Sequence, residues 1–203
     1  MSRFFIARHG ETVFNAAGRI QGDGEHTPLT RAGFAQAEAM GKALRLRLGP
    51  RPPLALWSSP SGRALQTLAV IAEHLDLDWH AARTDPRLGE IGMGAWSGRY
   101  YRDVIAEVGP IYDPETLLFV RRAPGGEGYD AVADRLRAWL ADTAAEEGER
   151  LVLMHGMSSR VLRALLTGAE VRRDCGAPVA ASLPQGAIVE IAEGVETVVP
   201  LDS

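Results

Sequence analysis

Two short apolar runs in this chain end alike. Phe4-Phe5-Ile6-Ala7 leads into Arg8-His9-Gly10-Glu11-Thr12, and Leu151-Val152-Leu153-Met154 leads into His155-Gly156. A buried strand that ends in a histidine and a glycine delivers an imidazole to the C-terminal edge of a sheet, where open α/β folds place their chemistry. If the two runs are parallel neighbours, His9 and His155 meet at that edge with Arg8 beside them. A third run, Leu54-Ala55-Leu56-Trp57, hands over through Ser58-Ser59-Pro60 to a helix whose first turns hold Arg63. A helix N-terminus adds unpaired N–H groups and a partial positive charge. Two arginines, two imidazoles and a helix end suit an anion of phosphate size, which arginine binds through paired, charge-assisted hydrogen bonds. Taken singly, each residue reads more simply, as a loop histidine with a local hydrogen bond or as a solvated helix charge. Taken together they point to an anion site, with phosphoryl transfer as its candidate chemistry.

The elements that must position these groups follow from hydrophobic periodicity and punctuation. Asn15 to Pro28 is rich in Gly, Asp, Glu and His and reads as a loop. Thr30 is placed to cap a helix, with Leu29 and Phe34 at the staple positions and Phe34, Ala37, Met40, Gly41, Leu44 and Leu48 as its apolar stripe. Ser59 as N-cap and Pro60 at the first helical position predict the start of the next helix, buried through Leu65, Leu68, Ala69, Ala72 and Leu75. A short strand is expected near Trp79–Ala82, a Gly-rich structured loop over 85–99, and a short helix at Tyr101–Val108. A long helix over 127–147 turns Val132, Leu136 and Leu140 inward, and another after Gly156 buries Val161, Leu162, Leu165 and Leu166. Ala187–Ile191 and Val195–Val199 close the chain as a hairpin around Gly194. Strands alternating with helices predict an α/β three-layer sandwich with a largely parallel central sheet, in one domain over 1–203.

Composition sets the outer bounds. The net charge of −4 gives no reason to expect nucleic acid or an anionic membrane as partner. Cys175 is the single cysteine, so no internal disulfide is available and a reducing, cytoplasmic setting is expected. Phe4–Ala7 is too short for a signal peptide, and no apolar stretch approaches a membrane span. Other signals carry less. His74, Asp76, Asp78 and His80 alternate like metal ligands on a strand, but His74 is expected to end a helix, which breaks the alternation. Cys175 lacks the arginine six residues on that a cysteine phosphatase needs, since that position is Ala181.

The ordered blocks of the chain resemble the histidine phosphatase (phosphoglycerate mutase-like) superfamily. Arg8-His9-Gly10-Glu11-Thr12 with Asn15 resembles its signature, and Gln21-Gly22 followed by Pro28-Leu29-Thr30-Arg31-Ala32-Gly33 its next block. Ser58-Ser59-Pro60 with Arg63-Ala64-Leu65-Gln66-Thr67, then Leu88-Gly89-Glu90 with Gly94 and Trp96-Ser97-Gly98, and finally His155-Gly156, continue the likeness in order. Such a series is far more specific than any single motif. The resemblance implies that His9 is the nucleophile that carries a phosphoryl group and that Glu90 is the general acid and base. It implies that Arg8, Arg63 and His155 hold the phosphate, and that Asn15, Gln21, Gly22 and the N–H of Gly156 complete the cradle. No metal and no cofactor are implied, because cationic side chains take their place. The expected partner is a small phosphate ester, and a homodimer is left open.

Within the family, the short stretch from Glu90 to His155 and Met93 near a position where mutases carry tyrosine favour a phosphatase over a mutase. Arg121 and Arg122, in a lid segment at about 100–126, stand where mutases grip a substrate carboxylate, and one of them is expected to meet a substrate anion. A mutase is therefore the runner-up. A non-catalytic phospholigand-binding member is the alternative of another class, and it would be expected to lack His9 or Glu90.

Overall fold

A computed structural model describes residues 3–24 and 26–201. Its six-stranded sheet has the order β3-β2-β4-β1-β5-β6. The strands are β1 (Arg3–Arg8), β2 (Leu54–Ser58), β3 (Arg83–Thr84), β4 (Glu149–Met154), β5 (Ile188–Ala192) and β6 (Val195–Val198). Neighbours from β3 to β1 run parallel, and β5 and β6 add an antiparallel hairpin. The largely parallel α/β sheet is as expected. The central strands are apolar on both faces because helices cover both. Phe5, Ala7, Leu56, Leu151 and Leu153 pack with Met40 and Leu44 of α2 (Arg31–Leu48) and Leu68 and Ile71 of α3 (Gly62–His74). Phe4, Ile6, Trp57, Val152 and Met154 pack with Leu136 and Trp139 of α5 (Tyr129–Asp142) and Val161 and Leu162 of α6 (Gly156–Leu166). That makes the three layers. Among the described residues no helix is long and apolar enough to cross a membrane.

Several boundaries differ from the sequence expectations, each for a local reason. The supposed loop after Asn15 is preceded by a short helix, α1 (Val13–Ala17), capped by Thr12 in a reciprocal capping box with Asn15. Phe34 is 42% exposed, because the inward position of α2 belongs to Gly33, which the backbone of Glu11 approaches closely. α3 begins after Ser61, not Ser59, since Ser59 still donates its N–H to the Leu153 carbonyl and stays extended. Trp79–Ala81 is a 3₁₀ turn, and the short strand follows it at Arg83–Thr84. α5 stops at Asp142 because Arg150 on β4 takes the carbonyls of Thr143 and Glu146, at 2.7 and 2.6 Å. Trp139, not Leu140, is its fully buried residue there. The segment over 100–126 contains α4 (Tyr101–Val108), as the periodicity predicts.

The closest helix–loop approach ties α2 to the strand end that carries His9. A Cβ on Gly33 would stand 2.1 Å from the Glu11 carbonyl oxygen, and one on Gly10 would stand 2.3 Å from that of Gly33. Both atoms are backbone, so neither can swing aside. Gly33→Ala is therefore expected to lower stability by about 1–3 kcal/mol, read as a lower urea midpoint, while Ala35→Ser on the exposed face of α2 should move it by less than about 0.5 kcal/mol.

Candidate active site

The parallel register of β1 and β4 sets Arg8 opposite Met154, so the next residues, His9 and His155, leave the sheet side by side. Their ring centroids are 5.2 Å apart with planes at 63°. Both are buried, at 2% and 0% exposure. His9 places Nδ1 2.7 Å from its neighbour's carbonyl, Gly10 O. A carbonyl only accepts, so Nδ1 carries the proton and Nε2 keeps its lone pair. His155 is held in the opposite sense: Arg63 Nε donates to its Nδ1 at 3.2 Å, which leaves the proton on Nε2, 3.5 Å from Ser61 Oγ. One ring presents a lone pair and the other an N–H.

Arg63 arrives from β2, the neighbour of β4, through the first turn of α3. It is fully buried. Besides His155 it donates to Gly22 O at 2.9 Å, to Thr27 Oγ1 at 3.0 Å and to Gly24 O. Its guanidinium thus shapes the loop after Gln21 as much as it faces the site. Arg8 donates to Leu183 O at 2.8 Å and lies against Gly156, where a Cβ would come within 3.3 Å of its guanidinium carbon. Arg8 Nε is buried with no hydrogen-bond partner among the described residues, a donor of the kind that an anion satisfies. Burial is the main cause lowering the pKa of each arginine, and Glu90 works against it in both cases.

Glu90 reaches the same place from the Gly-rich loop. Its carboxylate accepts from the N–H groups of Ile91, Met157 and Ser158, at 2.9, 3.0 and 2.9 Å, the last two from the first turn of α6. A carboxylate at a helix N-terminus complements the dipole. Asn15 Oδ1 accepts from Thr12 N at 3.1 Å and from Gln185 Nε2 at 2.6 Å, so its amide NH₂ is the group left to offer the cleft it lines. Gln21 Oε1 meets the Thr12 hydroxyl, and Gly22, at φ 56°, packs beneath Met93.

These groups line two clefts that share Glu90. One, of about 470 Å³, includes Arg8, His9, Asn15, Gln21, Gly22, Glu90 and Gly156, with Arg19 at its wall. The other includes Ser61, Arg63, Glu90, Arg135 and His155. Arg121 and Arg122, expected to include a contact to a substrate anion, line neither of these but a neighbouring cleft that shares Ile91 and Phe119 with the first. Both are exposed, and Arg122 Nε is spent on Gly126 O at 2.6 Å. Four contributors were not foreseen. Arg135 donates to Glu90 O at 3.1 Å and pairs with Glu127 at 3.0 Å, and Glu127 in turn accepts from Gly92 N at 2.9 Å, so the acid-bearing loop is pinned from α5. Ser61 and Gln185 support His155 and Asn15. The Ser-Pro-Ser run beside Arg63 was a visible cue for Ser61; Glu127 and Arg135, eight residues apart, gave none.

Comparison with known proteins bears on this arrangement. The model of the histidine phosphatase superfamily (branch 1) matches residues 4–182. This chain belongs to that superfamily. A Yersinia pestis (strain Pestoides F) protein named probable phosphoglycerate mutase GpmB is 32% identical over 176 residues, covering 83% of this chain and 76% of its own. The solved structure of a mycobacterial glucosyl-3-phosphoglycerate phosphatase complexed with VO3 matches with a TM-score of 0.79 at 25% identity, over 99% of both chains. Mycobacterial hydrolase 1 matches with a TM-score of 0.76 at 26% identity, over 93% of this chain and 90% of its own. Relatives of this histidine phosphatase superfamily member thus carry the names of a mutase and of a phosphatase.

Burial drives the His9 imidazole down to about 3, helped by Arg63 and then Arg8 and opposed by the Gly10 carbonyl. His155 is lowered well below the ordinary range, first by burial and then by Arg63 and His9. Both rings are neutral in the folded chain and take protons on unfolding below the ordinary value of 6.5. The unfolded state then binds more protons, so this contribution is absent above about pH 6.5 and stability falls as pH drops towards 3, by up to ~1.4 kcal/mol per pH unit for each ring. His9→Gln should flatten the wild-type acid slope by about one proton, measured as urea stability between about pH 4 and 6.

Proposed function

We propose that this chain is a phosphomonoester hydrolase that works through a phosphohistidine at His9 on a small phosphorylated metabolite. The observation that carries the reading is the pair of opposed tautomers: an unprotonated His9 Nε2 on the cleft, and an N–H on His155 beside it. In the first step Nε2 attacks phosphorus, the P–N bond forms and the P–O bond to the alcohol breaks. Glu90, in its acid form, gives its proton to the departing alkoxide. In the second step Glu90 takes a proton from water, whose oxygen attacks phosphorus; the P–N bond breaks and inorganic phosphate leaves with His9 restored.

The non-bridging oxygens carry the charge through both displacements. We assign them to Arg8, whose Nε has no hydrogen-bond partner among the described residues, to the Asn15 amide, and to the N–H of His155, which lines the adjoining cleft. Arg63 acts partly through His155, whose proton it directs to Nε2, and partly as a buried cation near the phosphate. Positioning and charge supply most of what such a transfer needs.

A phosphoglycerate mutase is the second reading, favoured by the name of the Yersinia pestis relative. Two observations favour the phosphatase instead. Arg121 and Arg122 are not among the residues lining either cleft, and the similar mycobacterial structure is of a phosphatase. His9→Ala should lose at least ~10³-fold in kcat/KM for p-nitrophenyl phosphate. Rapid quench of the wild type with a ³²P-labelled ester should trap label on His9, acid-labile and absent from the variant. Glu90→Gln should slow turnover by ~10²–10⁴-fold while still forming the label. Undiminished hydrolysis by His9→Ala would end the reading, and isomerisation of phosphoglycerate without phosphate release would decide for the mutase.

A further inference from the structure

The cleft that holds His9 continues into a pocket of another character. Tyr101, Tyr112, Leu117, Phe119 and Met157 line it, around about 510 Å³. Tyr101, Phe119 and Met157 line the His9 cleft as well, so the two spaces are continuous. None of the five carries a charge.

These walls are built, not incidental. Tyr112 and Phe119 face each other across an isolated antiparallel bridge. Between them Asp113 closes the turn, its carboxylate accepting from Thr116 N at 2.7 Å and its N–H donating to Leu118 O at 2.8 Å. Tyr129 Oη accepts from Phe119 N at 2.9 Å and donates towards Met157 Sδ at 3.6 Å, bracing two walls at once. Tyr101 meets Tyr112 edge-on, with centroids 6.2 Å apart. At the mouth stands Leu117, 47% exposed and at φ 57°. Left-handed backbone disfavours leucine, and Gly or Asn would fit it with less strain. The core gains little from a leucine half in water, so its place in the pocket wall is what its side chain serves.

We infer that this pocket receives the leaving group, and that the preferred substrate is a phosphate monoester whose alcohol has an uncharged, apolar or aromatic body. The inference rests on the phosphomonoesterase reading above and narrows its substrate class. No arginine, lysine or histidine is among the residues that line this pocket. Arg19 lines the phosphate cleft, stacked 4.5 Å over Tyr100, and Arg121 and Arg122 line other surface clefts. A second charge carried into this pocket would meet apolar walls, with no cation among the residues that line it.

A series of 4-alkylphenyl phosphates from hydrogen to propyl tests this, because the para alkyl group barely changes the acidity of the phenol. For the wild type, kcat/KM should rise about threefold to fourfold per methylene, and 4-(carboxymethyl)phenyl phosphate should fall at least ~10-fold below phenyl phosphate. Leu117→Asn relieves the backbone and removes the apolar wall, so Tm should hold or rise while the alkyl slope flattens and inhibition by vanadate stays within twofold. Turnover of phenyl phosphate with a flat wild-type series overturns the inference and leaves the phosphatase reading intact. An unchanged slope in Leu117→Asn overturns the assignment of this pocket. If no ester is turned over and no label appears on His9, the phosphatase reading falls and takes the inference with it.

Discussion

Parallel pairing of β1 with β4 fixes the distance between the two imidazoles, and nearly everything else at the sheet edge is arranged around that distance. Arg8 lies opposite Met154, so the strands release His9 and His155 at the same height. A slip of one residue would turn one ring towards the other layer of helices, because strand side chains alternate. The slip is resisted by the apolar runs themselves, whose Phe5, Ala7, Leu151 and Leu153 are needed on one face and Phe4, Ile6, Val152 and Met154 on the other. The packing of the core thus sets the geometry of the site. β2, next to β4, brings the third member, since the helix that follows it opens with Arg63.

Cations and carboxylates share this edge, and Glu90 and Asp23 offset part of what burial costs Arg63. Among the described residues Arg63 hydrogen-bonds to no carboxylate and leans on carbonyls, a threonine hydroxyl and an imidazole. Two histidines beside it are kept neutral. Such an arrangement lowers the stability of the empty fold, a common opposition between stability and function. Glu90 is the one carboxylate lining both clefts, and it is occupied with the N–H groups of α6. Its loop is in turn held by Arg135 and Glu127, so the acid is placed by backbone and ion pair together. The apolar pocket beyond it completes a gradient from buried cations to uncharged walls within a few residues of Met157.

The strands and the two His-Gly ends were readable because a doubly covered strand is a continuous apolar run with little ambiguity. α6 was readable too, though its buried Arg160 and Arg163 were not, since arginines that bond Ala180 and Ala181 carbonyls look like surface charges in one dimension. The start of α3 misled because Ser59-Pro60-Ser61 offers two capping serines, and the choice depends on the bond from Ser59 to Leu153, far along the chain. Phe34 misled because periodicity counts large apolar residues, whereas the close backbone approach at Gly33 needs a small one. Arg121 and Arg122 were placed by likeness to the family, and Arg122 instead closes its own turn at Gly126. The brace from Glu127 through Arg135 to the acid loop left no trace in spacing, since it joins residues from three separate segments.

The position of β1 in the sheet has a consequence for synthesis. The strand that leads into His9 is made well before both of its partners, β4 and β5. A nascent chain shorter than the last hairpin holds β1 with an open edge, and Arg8 without the Leu183 carbonyl that it grips. Contacts so distant in sequence form slowly, and an exposed apolar strand is prone to wrong pairing while it waits. The cleft around Arg8 and His9 is therefore closed only once the segment from Leu183 through β5 has been made.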